Sequence, residues 1–362
     1  MDFQKPFSRT ECAKHFLYGG GTDHESASAG SFSWANRWYD KSIQIFVCEN
    51  GKTGMLGEHS MMDGMPVVGL ANHICNTNYG ALLKQQQHQL DANVVLPRVE
   101  SIFQDCYPFW SSSAKLQAML QQAQESHNKA VEQQSVEVQA FHAYGSSRIK
   151  QMGYSPDAFV QMAIQLATFR LWNGHQGATY EATQTRPFLH GRTETTRSVS
   201  PASAAFCHVM GQFSSNVIPA QEKLELLQKA VDSHVTYMKA AAAGHGVDRH
   251  LLGLSFLIKD SESTPDLYSD PTYIKAKTWR VSTSHLSHPQ FDNWGFGQVV
   301  PHGVGIGYGI LPQKIVFNIT ALKDHGWTSK LSHLLEEALL EMSALQEHAQ
   351  GQENQQQLKS KL

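Results

Sequence analysis

The sequence predicts a mixed fold, α/β or α+β, in which helices and strands pack as two layers. Segments 42–49 and 314–320 are short, apolar and rich in β-branched residues, whereas 220–243 carries apolar residues at helical spacing. Strands and helices are therefore interspersed along the chain. Its 362 residues are enough for about two domains with a sizeable core.

The first predicted elements are two neighbouring strands, Ser42–Glu49 and Thr53–Glu58, joined by a turn at Gly51. The glycine- and serine-rich segment 17–36 before them is predicted to be a loop. The segment His59–Gly64 follows the second strand directly, so we expect it at the end of that strand.

Helices are predicted for much of the middle of the chain. The polar, helix-favouring segment 114–144 is predicted to be helical. Residues 155–157, Ser-Pro-Asp, form a helix start, with serine at the N-cap, proline in the first turn and an acid near the positive end of the dipole. An amphipathic helix begins after Pro219 and is stopped by Gly244.

The last predicted elements are two strands, Arg280–Ser284 and Lys314–Thr320, and a closing helix, Leu331–Leu345. The glutamine-rich stretch 350–357 is predicted to be disordered. It precedes Ser360-Lys361-Leu362, a tripeptide that peroxisomal import receptors recognise. The alternative is a solvated polar tail without an address.

Composition excludes several classes of function. Charged residues make up 17% of the chain and the net charge is -3, so we expect no basic surface for nucleic acid. We find no apolar run near the ~18 residues that a membrane span needs, and the N-terminus resembles no signal peptide. Five dispersed cysteines without a C-x-x-C motif fit a reducing compartment.

The sequence also predicts no metal site and no bound cofactor. Nineteen histidines are present, but pairs such as His285 and His288 lack an accompanying set of carboxylates or cysteines.

The motif with the clearest chemistry is H-x-x-x-D-G, formed by His59, Asp63 and Gly64 at a predicted strand end. Acyl transfer from a thioester to an alcohol requires a base that removes the hydroxyl proton, and histidine titrates in the right range. Asp63 could orient the ring or stabilise the imidazolium. Alternatively, His59 is structural and Asp63 belongs to a turn.

Longer motifs, in a consistent order and spacing, resemble the carnitine/choline acyltransferase family. They comprise Asn36–Ser42, Gly57–His59, Ser155–Phe159, Ala178–Glu181, Gly191–Ser198, Asp248–Leu251 and Ser282–Ser284. The resemblance implies chloramphenicol acetyltransferase-like domains, of which the N-terminal one is incomplete. It divides the chain into residues 1–105 with the catalytic histidine, a C-terminal domain at 106–347, and a disordered tail at 348–362.

The resemblance also implies roles for individual residues. His59 matches the general base, Asp63 the nearby acid and Ser284 the hydroxyl that stabilises the oxyanion of the tetrahedral intermediate. The expected ligands of carnitine are Tyr180, Thr193 and Arg249 for its carboxylate and Phe296 for its trimethylammonium group.

Coenzyme A is expected to bind Lys150 and Asp157, although Ser146 stands where related enzymes often have a first lysine. Trp294 is expected to close the acyl pocket and to favour short chains. The resemblance thus implies reversible transfer of a short acyl group between coenzyme A and carnitine, in peroxisomes or alternatively in mitochondria. The alternatives are a medium-chain (octanoyl) transferase, or a fragment that binds coenzyme A without activity.

Overall fold

The computed structural model describes residues 5–19, 37–77, 81, 113–211 and 218–360, with side chains up to residue 347. The helices are α1 Arg9–Tyr18, α2 Gly64–Asn76, α3 Ala114–Glu132, α4 Ser146–Gln151, α5 Pro156–Leu171, α6 Pro201–Met210, α7 Ala220–Ala242, α8 Asp248–Ser255, α9 Asp266–Ser269, α10 Pro271–Ala276 and α11 Trp327–Ser360. The strands are β1 Ile43–Val47, β2 Thr53–Gly57, β3 Gln134–Phe141, β4 Ala178–Gln184, β5 Thr193–Thr196, β6 Trp279–His285, β7 Val304–Ile310 and β8 Ile315–Leu322.

A six-stranded sheet in the order β3-β8-β7-β6-β4-β5 organises most of the described chain. Its centre, β4-β6-β7, is parallel, and the outer pairs are antiparallel. Helix α5 is buried along almost its whole length, so it is apolar on nearly every side. It packs against α6, α7 and α11 to form the helical layer. The mixed α/β class predicted from the sequence is confirmed.

Strand β7 shows why glycine repeats at Gly305, Gly307 and Gly309. A Cβ on Gly307 would lie 2.6 Å from the carbonyl oxygen of Trp294, and one on Gly305 would lie 2.9 Å from that of Gly297. The segment 294–297 therefore crosses β7 in direct contact with its backbone. Because side chains alternate along a strand, this crossing lies on the face opposite Tyr308, which points toward α5.

The two-stranded sheet of β1 and β2 is antiparallel and turns at Gly51, whose φ is 80°. Helix α1 packs beside it, with the ring of Phe16 stacked on that of Phe46 at 5.7 Å. Helix α1 also contacts the large sheet, because the hydroxyl of Thr10 accepts a hydrogen bond from the backbone of Val138. The N-terminal segments thus lie against the β3 edge of the main sheet.

Several predicted elements are confirmed. They are the strand pair before His59, the helix starts at Pro156 and after Pro219, the strands around 280–284 and 314–320, and the closing helix. None of the helices in the described ranges has the length and apolar character that crossing a bilayer requires.

Two expectations were wrong in detail, and a third, the N-cap at Ser155, is confirmed but without a side-chain hydrogen bond. Helix α3 ends at Glu132, and the rest of the segment 114–144 contains β3, because Val136 and Val138 alternate and pair with β8. The side chain of Ser155 makes no cap hydrogen bond, although the residue occupies the N-cap. The glutamine-rich stretch 350–357 is helical, since glutamine, glutamate and lysine favour helix once α11 has begun.

The division into domains at residues 105 and 347 remains a prediction. Most of the predicted loop 17–36 and the last two residues of the C-terminal tripeptide lie outside the described residues.

Candidate functional site

His59 lies directly after β2, and its side chain is 77% exposed. Its Nδ1 is 2.7 Å from the carbonyl oxygen of Met62. Because a carbonyl can only accept, Nδ1 carries the proton and Nε2 of the neutral ring holds the lone pair. The ring is thus oriented by a backbone contact within its own loop. Its basic nitrogen is Nε2, which takes no part in that contact.

Asp63 does not orient the His59 ring by a hydrogen bond. Its carboxylate lies 3.8 Å from Nδ1, too far for a hydrogen bond. Instead it accepts hydrogen bonds from Arg192, whose Nη2 is 2.9 Å and whose Nε is 3.2 Å away. The same guanidinium donates to the backbone oxygens of Ser60 and, at 2.8 Å, His59. Arg192 therefore fixes the whole His59 loop to the start of β5.

The predicted carboxylate-binding residues lie together beside Arg192. Nη2 of Arg249 donates to the hydroxyl of Tyr180 at 3.1 Å and to the hydroxyl of Thr193 at 3.4 Å, while its Nε donates to the Thr193 carbonyl at 3.1 Å. No carboxylate of the described residues forms an ion pair with Arg249. Its charge is positioned by neutral oxygens and remains available to an anion.

Ser284 lies near the end of β6 and is half-buried. In the register of the sheet it stands opposite Gly307, the residue crossed by the segment 294–297. Its neighbour Thr283 bonds Gln161 of α5, so Ser284 points to the other face, as Tyr180 does from β4. Within the described ranges its hydroxyl makes no hydrogen bond, and it is therefore free to donate.

The aromatic residues of the 294–297 segment are fixed by the strand beneath them. The indole nitrogen of Trp294 donates to the Tyr308 carbonyl at 3.0 Å, and its ring lies 5.6 Å from that of Phe296. A cavity of only about 10 Å³ remains beside Trp294. The neighbouring Gly295 is also closely packed, because a Cβ there would lie 2.2 Å from the side chain of Asn318. No hydrogen bond, ring contact or cation–π contact among the described residues joins Phe296 to Tyr180, Thr193 or Arg249.

The two residues expected to bind coenzyme A have different surroundings. Lys150 is exposed at the end of α4 and has no ion-pair partner among the described residues. Arg148, which could replace the missing first lysine, is 3.0 Å from Glu347. Asp157 instead points into the domain, where its carboxylate accepts a hydrogen bond from Tyr308 at 2.7 Å.

Asp157 belongs to a buried polar network behind the sheet. His285, stacked on Tyr308, places Nδ1 3.2 Å from the Asp157 carboxylate. Burial by itself would raise the pKa of Asp157, but hydrogen bonding and charge from His285 outweigh it and lower that pKa well below its usual value.

Glu181 and His234 form the other end of this network, with 2.6 Å between Oε2 and Nε2. Burial and the nearby charge of Asp157 raise the pKa of Glu181 to about 7. Although burial opposes it, the contact with Glu181 raises the pKa of His234. Ser198 completes the network by donating to Gln161 at 2.8 Å.

The ligand atoms of Asp157, Glu181 and His234 lie within 4.8 Å of one another, which is close enough for a cation. These groups already bond to each other and to Tyr308, so their close approach is explained by hydrogen bonds without an ion. We assign no metal to them.

Sequence reasoning missed Arg192 and His285. Arg192 lies inside the motif Gly191–Ser198, but nothing in the sequence pattern shows that it contacts Asp63, which is 129 positions earlier. The alternation of β4 could have placed Glu181 opposite Tyr180 and flagged a buried acid, had that strand been recognised.

The described residues thus include an exposed histidine, a hydroxyl donor on a parallel strand and a guanidinium without a described carboxylate partner, which are the kinds of group that acyl transfer to an alcohol with an anionic group would use. The sequence model for Choline/Carnitine o-acyltransferase matches residues 4–337. The chain therefore belongs to the choline/carnitine O-acyltransferase family.

Individual relatives agree with this assignment. The mitochondrial carnitine O-acetyltransferase of Saccharomyces cerevisiae is 37% identical over 78% of this chain and 41% of its own length. The human carnitine O-acetyltransferase is 34% identical over 93% of this chain and 51% of its own. The choline O-acetyltransferase of Sus scrofa is 33% identical over 93% and 50%. The chain thus spans about half the length of these relatives.

Solved structures show a weaker likeness. A chloramphenicol acetyltransferase has a TM-score of 0.28 at 12% identity, covering 57% of this chain and 88% of its own. An epimerization domain of tyrocidine synthetase B has a TM-score of 0.39 at 11% identity, covering 84% and 72%. The family assignment rests on the sequence matches alone.

Proposed function

We propose that this protein is an enzyme of the carnitine O-acetyltransferase type, which transfers a short acyl group reversibly between coenzyme A and carnitine. The observation that carries the proposal is the Arg249 guanidinium, positioned by Tyr180 and Thr193 and lacking a carboxylate partner among the described residues. Carnitine has a carboxylate for this group to bind, whereas choline has none. Arg249 therefore favours carnitine over choline, although relatives of both kinds are similar to the chain.

The proposed mechanism uses the neutral His59 ring. Nε2 removes the proton from the carnitine hydroxyl, and the oxygen attacks the thioester carbonyl. The Ser284 hydroxyl donates to the oxyanion of the tetrahedral intermediate. Collapse breaks the carbon–sulfur bond, and the coenzyme A thiolate takes the proton back from Nε2. The Met62 carbonyl accepts a hydrogen bond from Nδ1 and holds the ring in place during these steps.

Coenzyme A would bind through the exposed ammonium of Lys150, which suits a phosphate. Asp157, at the start of α5, is the second proposed contact, although its carboxylate also bonds Tyr308 inside the domain and only 20% of its side chain is exposed. Carnitine and coenzyme A are substrates in this proposal, and no bound cofactor takes part in the reaction.

Substitution of His59 tests the mechanism. Because a general base contributes roughly 10²–10⁴-fold, His59→Ala should lower kcat for acetyl transfer by at least about 100-fold. His73→Ala, which changes an exposed histidine of α2, is the matched control and should retain activity. Full acetyl transfer by His59→Ala would exclude this mechanism. Binding of coenzyme A without turnover in the unchanged chain would instead support an inactive fragment.

Chain-length preference is the second question. The bulk of the Trp294 ring, held by its hydrogen bond to the Tyr308 carbonyl, supports a preference for acetyl or propionyl groups over octanoyl groups. Rates with acetyl-, octanoyl- and palmitoyl-coenzyme A would decide between the short-chain enzyme and the medium-chain alternative. Trp294→Gly should shift the preference toward the longer chains. An unchanged preference would show that Trp294 does not line the acyl pocket.

We further propose a peroxisomal location through Ser360-Lys361-Leu362 and an import receptor, with mitochondria as the alternative. A fluorescent protein fused to the N-terminus should colocalise with peroxisomes and lose that location when the last three residues are deleted. Mitochondrial fluorescence of the intact fusion would support the alternative.

A further inference from the structure

A second concave site lies at the far end of the sheet from His59. The His59 loop contacts Arg192 beside Thr193, which pairs with Gln184 at the end of β4. The second site adjoins residues before β4 and Arg280 at the start of β6, which runs parallel to β4. A seven-residue strand is about 20 Å long at ~3.3 Å per residue, so the two sites are separate.

This second site is an open cavity of about 800 Å³, lined by residues of α5, α6, α7 and α10, by the segment 174–176 and by Arg280 of β6. One wall is apolar and is formed by Phe169 of α5, Val209 of α6 and Leu226 of α7. The other groups around it are basic or neutral. The charged or titratable side chains in the lining are His175, His208, Lys275 and Arg280, and the lining contains no carboxylate.

Arg280 is held in place at this cavity, and none of the carboxylates that the structure describes pairs with it. Its guanidinium lies 3.9 Å from the ring centre of Trp172, and its Nε donates to the carbonyl of His302 at 3.0 Å. Burial lowers the pKa of Arg280, and no neighbouring acid opposes that effect. Stacking covers one face of the guanidinium plane and leaves its edge able to bond an anion in bidentate fashion.

Several other arginines of the described chain have a carboxylate partner, whereas none of the described carboxylates pairs with Arg280. Carboxylates pair with Arg148, Arg170, Arg192 and Arg197. Arg280 shares the lack of such a partner with Arg249, the residue proposed to bind a substrate carboxylate. A positioned cation beside an apolar wall is suited to a ligand with an anionic head and an aliphatic body.

We propose that this cavity binds an amphipathic anion, a carboxylate or phosphate head on an aliphatic chain. Arg280 and Lys275 bind the head, and the chain lies against Phe169, Val209 and Leu226. The site is independent of the acyl-transfer chemistry at His59, since binding here uses none of the residues assigned to that reaction.

Calorimetry with the full chain tests the proposal. The probes are decanoate and decyl phosphate below their micelle concentrations, with inorganic phosphate and decyltrimethylammonium as comparisons. At least one decyl anion should bind with a Kd on the order of 0.1 mM, given typical ligand efficiencies. The anion that binds more tightly identifies the head group. Absence of binding by both decyl anions, or equally tight binding of either comparison probe, would overturn the proposal.

Amino-acid substitutions show where on the protein the decyl anion binds. Arg280→Gln should weaken the decyl anion by at least about 10-fold, as expected for loss of a hydrogen bond from a charged group. Ala205→Trp, at an exposed alanine of the cavity wall, should do the same by filling the space, and it keeps the test valid if Arg280→Gln folds poorly. Lys277→Gln is the matched control, because Lys277 lies over Tyr273 outside the lining. Unchanged affinity in Ala205→Trp, or loss of binding in Arg249→Gln, would place the ligand elsewhere.

Discussion

Tyr180 and Glu181 are neighbours in β4, but their side chains lie on opposite faces of the sheet. Tyr180 meets Arg249 and Thr193 on one face, where the polar groups are partly exposed and the guanidinium lacks a carboxylate partner among the described residues. Glu181 is buried on the other face with His234 and Ser198. The first set has hydrogen-bonding capacity left for a ligand, whereas the groups of the second bond mainly to one another. Substitutions on the first face should therefore change binding, and those on the second should change stability.

The largest expected effect is on carnitine binding. Arg249→Gln removes the charge that faces the substrate carboxylate, so KM for carnitine should rise by about 10–100-fold, as for loss of charge-assisted hydrogen bonds. KM for acetyl-coenzyme A and the urea midpoint of unfolding should change little. Steady-state kinetics with each substrate varied in turn would measure this. An unchanged KM for carnitine would mean that Arg249 serves only to stabilise the fold, as the groups around Glu181 on the buried face do.

Arg192→Gln should have a smaller effect of a different kind. The substitution releases the His59 loop from β5 but leaves the Arg249 cluster in place. We expect kcat to fall by about 10-fold, since misplacement of a catalytic group by a fraction of an ångström costs that order of rate. The KM for carnitine should remain close to its original value.

Arg186→Gln is the control for this experiment, because Arg186 is exposed and bonds only Gln184 in the described structure. A large rise in KM for carnitine in Arg192→Gln would show that the two arginines act as one unit. In that case the separation between loop positioning and substrate binding would not hold.

The smallest effect concerns stability and pH. The pKa of Glu181 is raised to about 7 in the folded state. Its contribution to the free energy of unfolding is therefore fully present below about pH 4.5 and is lost as the pH rises through 7. The pKa of His234 is also raised above its ordinary value of 6.5, so its stabilising effect is likewise lost as the pH rises above that value. The free energy of unfolding should thus fall between pH 5 and 8, on the order of 2 kcal/mol.

Glu181→Gln should flatten this pH dependence, because the amide does not titrate. Urea unfolding at pH 5, 6, 7 and 8 would measure it, and KM for carnitine should stay unchanged. A slope identical to that of the unsubstituted protein would mean that the buried face does not titrate in this range.

The sequence by itself determined the mixed class, the strand pair before His59 and the helix starts at Pro156 and after Pro219, because these depend on local periodicity, turns and fixed backbone angles. It also determined the family, through motifs that stay recognisable without any structure. The trio of Tyr180, Thr193 and Arg249 could be named in advance for the same reason.

Only the tertiary structure decided which polar groups neutralise one another. Arg192 and Asp63 are 129 positions apart, and Arg197 and Asp248 are 51 apart, yet each pair is in contact. Arg249 and Arg280 look no different from these in the sequence. Whether an arginine has a carboxylate beside it depends on strand order and loop packing, which are non-local, and that difference separates a structural cation from one that can bind a ligand.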